Sequence, residues 1–340
     1  MKIVVDALGG DKNFPAINVE GALLALKDYS DVEVILVGPK EEIEKEIFKN
    51  KKFFKEITKR ISIINATECV TMEDQPSKII RTKENSSIGV GLKLLRDGLA
   101  DAFVSSGNSG AILAFSITYI KKIPHIDRPA IATVLPTINK PCVVIDVGAN
   151  VDCKPKQLLE FGYMGSIYCR KILNIENPRV ALLSIGTEES KGNLQVLEAY
   201  QLFKSSKLNF IGNIEGRDIP FGVADVVVSD GFVGNVVLKL GEGIAEVLLE
   251  LIKYSLKKHP FSWFALPFVW NAIRDLRKKI DFTEYGGAPL LGLEKVCVIC
   301  HGRSNAKAIK NAIKVAKQMV EERISFVISE FMDNIINEKS

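Results

Sequence analysis

Glycines beside Ser, Asn or Asp recur in this sequence directly after short apolar runs. The clearest cases are DALGGD at 6–11, SSGNSGA at 105–111, DVGAN at 146–150 and SDGFVGN at 229–235. Glycine lets the backbone approach an anion closely, and a helix that begins in such a loop offers free N–H groups to phosphate. One loop of this kind is usually a tight turn. Several in one chain favour a phosphate-binding site.

A histidine and a lysine are the side chains best placed to assist such chemistry. His301 follows an apolar run and precedes Gly302 and Arg303, so we expect it at the ligand-binding edge of a sheet. Capping the next helix is an equally open role for this imidazole. Lys191, in GTEESKGN, could pair with phosphate, with a solvated surface lysine as the alternative. His125 lies in a loop-like segment, where we expect a structural role.

Several cofactor motifs are absent or incomplete. No GxGxxG follows a strand, because GEGIAE at 241–246 lacks the third glycine, and no GxxxxGK[ST] indicates an ATP-binding loop. CVICH at 297–301 fits the haem-attachment pattern CxxCH, which remains a minor alternative. In a strand, Cys297 and Cys300 would point to opposite faces, and no second CxxC completes a zinc site. We therefore expect core cysteines, no metal and no cofactor.

The segment 253–282 differs in composition from the rest of the chain. Its aromatic and apolar residues, flanked by lysines and arginines, are Phe261, Trp263, Phe264, Leu266, Phe268 and Trp270. Spanning a bilayer takes about 20 apolar residues, and this run is shorter and contains Pro260 and Pro267. We predict a helical insertion that docks on a membrane without crossing it. A dimer interface or buried hairpin is the alternative, and an acidic carrier protein could bind the same basic surface.

Short β-branched runs alternate with helical patterns along the chain. The runs that indicate strands are KIVVD, VEVILVG, ISIIN, DAFVSS, CVVIDVG, RVALLSIG, LNFIGN, ADVVVSD and KVCVICHG. Segments of 3.6-residue periodicity separate them. This order predicts an α/β fold with a doubly wound, mostly parallel sheet, in which ligands bind beyond the carboxyl ends of the strands. No repeat or linker divides the sequence, so we predict one α/β unit over 1–340.

Charge and composition narrow the class of protein further. A net charge of +4 is too small to suggest nucleic-acid binding. The hydrophobic share of 47% and the charged share of 25% are typical of globular rather than disordered chains. The start MKIVVDALGGD lacks the pattern of a signal peptide, so we expect a cytoplasmic protein whose cysteines remain thiols.

Read in order, the loop motifs resemble those of the PlsX family, the phosphate acyltransferases of bacterial phospholipid synthesis. The motifs are DALGGD, SSGNSGA, DVGAN, SIGTEESKGN, NFIGNIEGRDI, DVVVSDGFVGN and YGGAPLLGL with CHG. Departures from the usual family pattern are small. Leu8 stands where Met is frequent, Ser106 and Ser109 stand where SAGNTGA is usual, and Ser184 stands where Asn is common.

The resemblance implies transfer of a fatty acyl group from acyl-[acyl-carrier-protein] to inorganic phosphate, giving an acyl phosphate for a glycerol-3-phosphate acyltransferase. It also implies a fold similar to the isopropylmalate dehydrogenase and phosphotransacetylase group, a homodimer, and peripheral attachment to the inner face of the cell membrane. Two alternatives remain open. One is a phosphotransacetylase-like enzyme using acyl-coenzyme A, and the other is a non-catalytic, membrane-bound adaptor for acyl carrier protein.

Phosphate dianion is already a nucleophile near neutral pH, so this reaction needs a cradle and oxyanion donors rather than an activated Ser or Cys. The residues assigned to the phosphate cradle are Gly9, Gly10, Ser106, Asn108, Ser109 and Gly110. Asp6 or Asp146 would position neighbouring groups.

The catalytic assignments complete this hypothesis. Lys191 would neutralise charge in the transition state, and Asp230 and Asn235 would orient it. His301 would donate to the oxyanion or to the departing carrier thiolate.

Overall fold

The structure, a computed structural model, describes residues 1–12, 14–71, 73–258, 271, 274–275 and 286–338. Its strands are β1 (Lys2–Asp6), β2 (Glu33–Gly38), β3 (Ile61–Asn65), β4 (Ala102–Ser105), β5 (Ala130–Leu135), β6 (Cys142–Ile145), β7 (Val180–Leu183), β8 (Phe210–Ile214), β9 (Val226–Val228), β10 (Ala288–Leu291) and β11 (Val296–Ile299). Its α-helices are α1 (Ala16–Asp28), α2 (Lys40–Phe54), α3 (Pro76–Thr82), α4 (Ser87–Arg96), α5 (Ser109–Tyr119), α6 (Pro155–Ile172), α7 (Leu194–Lys204), α8 (Gly231–Lys258), α9 (Ala306–Glu321) and α10 (Ile324–Asn337). Short 3-10 helices span Ile57–Arg60 and Gly216–Phe221.

The strands form one 11-stranded sheet in the order β3-β2-β1-β4-β11-β10-β5-β6-β9-β7-β8. Every run that the sequence indicates as a strand is a strand of this sheet, and the predicted α/β class with a mostly parallel sheet is confirmed. The sequence does not predict β5 and β10. β5 is the segment AIATVL between two prolines, and β10 has only four residues, one of them Pro289, so both carry weak strand signals.

The two unpredicted strands are those at which the sheet changes direction. β10 is antiparallel to both β11 and β5, and β5 is antiparallel to β6. The first half-sheet, β1 to β4 with β11, therefore runs opposite to the second half-sheet, β6 to β9. The carboxyl ends of all the strands therefore do not lie at one edge of the sheet, as a fully parallel sheet would require.

The register nevertheless brings both sets of carboxyl ends to one level of the sheet. Ser105, at the end of β4, pairs with Ile299, at the end of β11, and Ile299 pairs with Ala288 of β10. Extending the antiparallel pairing of β10 with β5 by two residues places Ala288 opposite Thr133. Thr133 in turn pairs with Val144, the residue before the end of β6. Loops from both half-sheets therefore meet where β11, β10, β5 and β6 lie side by side.

Alternate residues of the strands fill two apolar layers. In β1, Ile3 and Val5 belong to the layer that includes residues of α1, α6, α9 and α10 on one face, whereas Val4 belongs to the layer that includes residues of α4 and α5 on the other. Gly21 lets α1 approach α9 closely, because a Cβ there would lie 2.5 Å from Cβ of Ile309. The sheet is thus covered by helices on both faces, as is usual for parallel strands.

Side chains cap the helices that begin in two of the glycine-rich loops. Oδ1 of Asn108 accepts the N–H of Ala111 at 3.0 Å at the start of α5. Oδ1 of Asp230 accepts the N–H of Val233 at 2.8 Å at the start of α8. Such caps satisfy N–H groups that lack a partner in the first helical turn. They fix both helix N-termini beside the strand ends.

The predicted insertion at 253–282 begins inside α8, which continues to Lys258. The predicted membrane-docking residues, from Phe261 to Trp270, lie outside the described residues. In the part of the chain that the structure describes, no helix combines the length and apolar character needed to cross a bilayer.

Candidate active site

A cavity of about 570 Å³ lies where the two half-sheets meet, lined by β5, the ends of β10 and β11, and α8. Most of its wall is apolar, with side chains such as Ile131, Val134, Leu135, Ile219, Leu238 and Leu248. Its polar side chains include Ser109, Asn235, Lys239, Glu242, His301 and Ser304. A concave apolar site with a few converging polar groups is the usual form of a small-molecule site. Three predicted site residues, Ser109, Asn235 and His301, therefore share one cavity.

Loops of the first half-sheet converge around Gly9 and Gly10. A Cβ at Gly9 would lie 2.8 Å from the nitrogen of Gly107, so a larger residue does not fit against that loop. Gly10 has a φ of +121°, a conformation that L side chains rarely adopt. The N–H of Asp11 donates to the carbonyl of Gly302 at 2.8 Å. The loops after β1, β4 and β11 are thus packed together.

Asp6 lies beneath these loops and is almost completely buried. Its Oδ2 accepts the hydroxyl of Ser105 at 2.6 Å, and its Oδ1 accepts the N–H of Leu8 at 3.0 Å. Burial raises the pKa of the Asp6 carboxyl, while hydrogen bonds from Ser105, Ser87 and the backbone lower it. Through these contacts Asp6 holds the loop after β1 against the end of β4.

The other residues assigned to the phosphate cradle occupy different environments. Ser106 is buried beneath Gly10, whereas Asn108 caps α5 and Gly110 packs against α3. Ser109 is the cradle residue that lines the large cavity. Gly10 and Asn108 line a second pocket of about 290 Å³. The structure therefore divides the six assigned residues between the cavity, a neighbouring pocket and the packing of loops.

The buried carboxylate of Asp146 organises the DVGAN loop after β6. It accepts hydrogen bonds, at 2.7 to 3.2 Å, from the backbone N–H groups of Ile131, Gly148, Ala149 and Asn150. The Asn150 amide adds a side-chain donor at 2.9 Å. Burial raises the pKa of Asp146, and these hydrogen bonds act in the opposite direction. One side chain thus fixes the loop against β5.

Asn235 faces the DVGAN loop from the first turns of α8. Gly148 has a φ of +139°, and its Cβ position lies 3.8 Å from Cγ and Oδ1 of Asn235. Gly234 packs directly against the carbonyl of Asp146, so α8 begins in contact with this loop. That contact brings Asn235 into the cavity, whereas Asp230 caps the helix behind it.

Lys239, Glu242 and His301 form a group of charged and titratable side chains in the cavity. Nζ of Lys239 lies 2.9 Å from Oε2 of Glu242 and 2.9 Å from Nε2 of His301. Arg303, in the same loop as His301, pairs with Glu246 of α8 at 3.4 Å. These contacts join α8, which follows the second half-sheet, to the loop that follows β11 of the first.

Both ring nitrogens of His301 lie within hydrogen-bond distance of a donor. Nδ1 accepts the N–H of Arg303 at 3.0 Å, and Nε2 lies 2.9 Å from Nζ of Lys239. Because a neutral imidazole has one acceptor nitrogen, the two contacts compete for the position of its proton. Burial and then the charge of Lys239 lower the pKa of His301, Glu242 and Asp11 raise it, and Arg303 lowers it further. An oxyanion beside Nζ of Lys239 and Nε2 of His301 would resolve this competition, because it can accept a hydrogen bond from the ammonium group and another from an Nε2–H group.

Lys191 lies on the loop after β7 and is exposed. Its Cγ lies 2.9 Å from the Cβ position of Gly186, and its carbonyl accepts the hydroxyl of Ser184 at 3.0 Å. Among the described residues that line the large cavity, none belongs to this loop. A catalytic role for Lys191 stays a prediction.

Cys297 and Cys300 belong to the apolar layers on opposite faces of the sheet. Burial raises the pKa of each thiol to about 12. Cys300 borders the cavity, yet a thiol with this pKa is not a thiolate near neutral pH and is a poor nucleophile. His125, the other described histidine, lies on a loop and its Nε2 is 3.4 Å from Asp333.

Lys239 and Glu242 belong to none of the glycine-rich motifs that indicate the site in the sequence. Both lie on the face of α8 that carries Asn235, because residues four and seven positions further along a helix point the same way. Extending the helical period from Asn235 would have found them. Their contact with His301, 62 positions beyond Lys239, could not be found in this way because it depends on the fold.

Solved structures share this architecture. A phosphotransacetylase from Streptococcus pyogenes is similar with a TM-score of 0.60 and 21% identity, over 95% of this chain and 94% of that one. The EutD phosphotransacetylase from Staphylococcus aureus is similar with a TM-score of 0.56 and 16% identity, over 94% of both chains. The protein therefore has the α/β fold of the phosphotransacetylases.

Sequence similarity identifies the family of this protein within the fold class. A family profile described as "Fatty acid synthesis protein" matches residues 1–326. The "Phosphate acyltransferase" of Endomicrobium trichonymphae is 50% identical over 97% of each chain, and that of Thermodesulfovibrio yellowstonii is 48% identical over 98% of this chain and 94% of its own. The chain belongs to this family, the PlsX family of phosphate acyltransferases. The prediction of an acyltransferase is confirmed.

Proposed function

We propose that this protein transfers a fatty acyl group from acyl-[acyl-carrier-protein] to inorganic phosphate and so makes an acyl phosphate for phospholipid synthesis. The observation that carries the proposal is the large cavity, whose mostly apolar wall meets a polar end formed by Lys239, Glu242 and His301. Ser109 and Asn235 also line this cavity. An apolar wall suits a fatty acyl chain, and the polar end suits phosphate and a developing oxyanion.

The reaction needs no covalent enzyme intermediate. A phosphate oxygen attacks the thioester carbonyl carbon, which forms a C–O bond and a tetrahedral oxyanion. Collapse of that intermediate breaks the C–S bond, and the sulfur leaves with the electron pair as the carrier thiolate, which then takes up a proton. The high pKa of the Cys300 thiol argues against an acyl-cysteine route at this cavity.

We assign the oxyanion to the donors of Lys239 and His301, which lie 2.9 Å apart. Ser109, at the N-terminus of α5, and Asn235 are the residues we assign to phosphate, because both are polar and line the cavity. Lys191 keeps its predicted part in neutralising charge. Asp230 acts through the position of α8, whose first turn it caps.

The direct test is phosphate-dependent release of carrier thiol from a long-chain acyl-[acyl-carrier-protein], followed by trapping of the acyl phosphate with hydroxylamine. We expect thiol release to require phosphate and to match the hydroxamate formed. Equal release without phosphate would mean hydrolysis instead. Tight binding of the carrier with no thiol release would support the adaptor alternative.

A second donor with the same acyl chain tests the alternative of a phosphotransacetylase-like enzyme that uses acyl-coenzyme A. Acyl-coenzyme A of the same chain length should give a kcat/KM at least tenfold below that of the carrier thioester. A preference for the coenzyme A donor would favour the phosphotransacetylase-like enzyme. Basic residues at the end of α8, such as the exposed Lys253 and Lys258, support docking of an acidic carrier.

We further propose a cytoplasmic protein that attaches to the inner face of the cell membrane through the segment 253–282 and hands its product to a glycerol-3-phosphate acyltransferase. The composition of the segment, aromatic residues between basic flanks, supports this location. Replacing Trp263 and Phe264 with Glu should abolish co-sedimentation with anionic phospholipid vesicles while thiol release in solution continues. Unchanged co-sedimentation would refute docking through these residues.

A homodimer is the proposed assembly, and α8 offers a surface for it. Exposed apolar side chains recur along this helix at spacings of three, four and seven: Val236, Leu240, Val247, Leu251 and Tyr254. Such a stripe on a long helix is typical of helix pairing.

A further inference from the structure

Two glycines in the middle of α8, Gly241 and Gly243, make no contact with the described residues of this chain that would require glycine. Apart from the backbone of the helix itself, no described atom lies within 4 Å of a Cβ at either position. Other helical glycines differ, since a Cβ at Gly162 would lie 2.6 Å from Phe203. Glycine inside a helix lowers its stability relative to alanine, and each of the two lacks a compensating contact among the described residues.

The two glycines differ in what they face. Gly241 lines the large cavity, whereas Gly243 does not. The cavity side of α8 continues from Leu238 through Gly241 and Ala245 to Leu248, at helical spacing. Along this line of the helix two small residues, Gly241 and Ala245, lie between Leu238 and Leu248, and Glu242 and Ile244 line the cavity beside them.

The dimensions of this wall suit a fatty acyl chain. At 1.5 Å per residue, Lys239, which is assigned to the oxyanion of the reacting carbonyl, and Leu248 are about 14 Å apart along the helix axis. One leaflet of a bilayer has a hydrocarbon thickness of about 15 Å, half of the ~30 Å core, so the wall is close to the length of a membrane-lipid chain. The opposite side of the cavity, with Val134, Leu135 and Ile219, is apolar as well.

We propose that Gly241 is a specificity-determining residue for acyl-chain length: its missing side chain leaves the passage by which a long chain extends from the polar end toward Leu248. The proposal rests on the transferase function above and adds the position of the chain to it. A short chain would end before this point and would not need the passage.

The test compares Gly241→Leu with the matched control Gly243→Leu, using acyl-[acyl-carrier-protein] donors from C4 to C18. Both substitutions add the same side chain to the same helix, and both improve helix propensity, so folding should be preserved. For Gly241→Leu, the ratio of kcat/KM with the long donors to that with the C4 donor should fall about fourfold per excluded methylene, by the ~0.8 kcal/mol burial value of each. The ratio for Gly243→Leu should remain that of the unaltered protein.

An unchanged length profile in Gly241→Leu, or the same shift in both variants, would overturn the inference. A second readout keeps it separate from the proposed function. Binding of free fatty acids of C8 to C18, measured by calorimetry, should weaken for the longer acids in Gly241→Leu but not in Gly243→Leu. Length-dependent binding in an enzyme that releases no carrier thiol would contradict the transferase function and leave the assignment of Gly241 standing.

Discussion

Nζ of Lys239 lies 2.9 Å from Nε2 of His301, although the two residues follow strands of opposite half-sheets. α8 carries Lys239 across the junction from the end of β9, and the loop after β11 presents His301 to it. The pair therefore exists only when both half-sheets are assembled in the observed register. It marks the polar end of an otherwise apolar cavity.

The first prediction concerns the titration of His301. Because the charge of Lys239 lowers the pKa of His301 and the charge of Glu242 raises it, Lys239→Gln should raise this pKa and Glu242→Gln should lower it. NMR titration of the imidazole C–H signals measures both shifts, and the chain has three histidines to resolve. Shifts of the same sign in the two variants would contradict the arrangement.

The second prediction separates two lysines by activity. Removing one oxyanion donor typically costs about 100-fold in kcat, so Lys239→Gln should lose about this much in phosphate-dependent thiol release. Lys171→Gln is the matched control, because Lys171 lies on α6 and pairs with Glu322 instead. A Lys239→Gln enzyme with unimpaired kcat would remove Lys239 from the oxyanion site.

The role predicted for Lys191 is tested in the same assay. Lys191→Ala should reduce kcat/KM by about 100-fold if its charge acts on the transition state. Binding of the acyl carrier protein, measured separately, should persist. Normal turnover in Lys191→Ala would eliminate that assignment and leave the cavity residues as the candidates.

The fourth prediction concerns stability. Asp146→Asn replaces an acceptor of four backbone N–H groups with an amide whose own NH2 group faces donors, so the free energy of unfolding should fall by about 3 kcal/mol. Asp152→Asn, on the exposed part of the same loop, should change it by less than about 0.5 kcal/mol. Urea denaturation of both variants provides the comparison, and equal stabilities would show that the carboxylate is not needed for the loop.

The fifth prediction concerns the exposed stripe on α8. In the proposed homodimer, Leu240→Asp combined with Val247→Asp should raise the dissociation constant more than about 100-fold, because two charges would enter an apolar interface. Phe48→Asp, at an exposed apolar residue of α2, is the control. Sedimentation equilibrium measures all three proteins. A dimer that survives the double substitution would place the interface elsewhere.

Much of the fold follows from local sequence patterns. The β-branched runs and the loops DALGGD, SSGNSGA and SDGFVGN predict parallel strands that end in helix N-termini, and the structure contains these elements. The order of the loop motifs also resembles that of the PlsX family, to which the chain belongs. These features can be predicted from the sequence because strand propensity, glycine conformation and helix capping each depend on residues that are close together in the chain.

Other features were decided by tertiary structure. β5 and β10 reverse the sheet, yet their short, proline-bordered sequences give little local signal, and their pairing partners lie far away in the chain. The glycine pattern likewise does not tell whether a glycine faces a ligand or packs tightly, as Gly9 and Gly110 do. The contact of Lys239 with His301 and the cavity beside Gly241 arise only when the two half-sheets meet. The sequence by itself determined nine of the eleven strands and the family. The junction of opposite half-sheets decided which residues share one cavity, because contacts between distant segments depend on strand order and register rather than on local propensity.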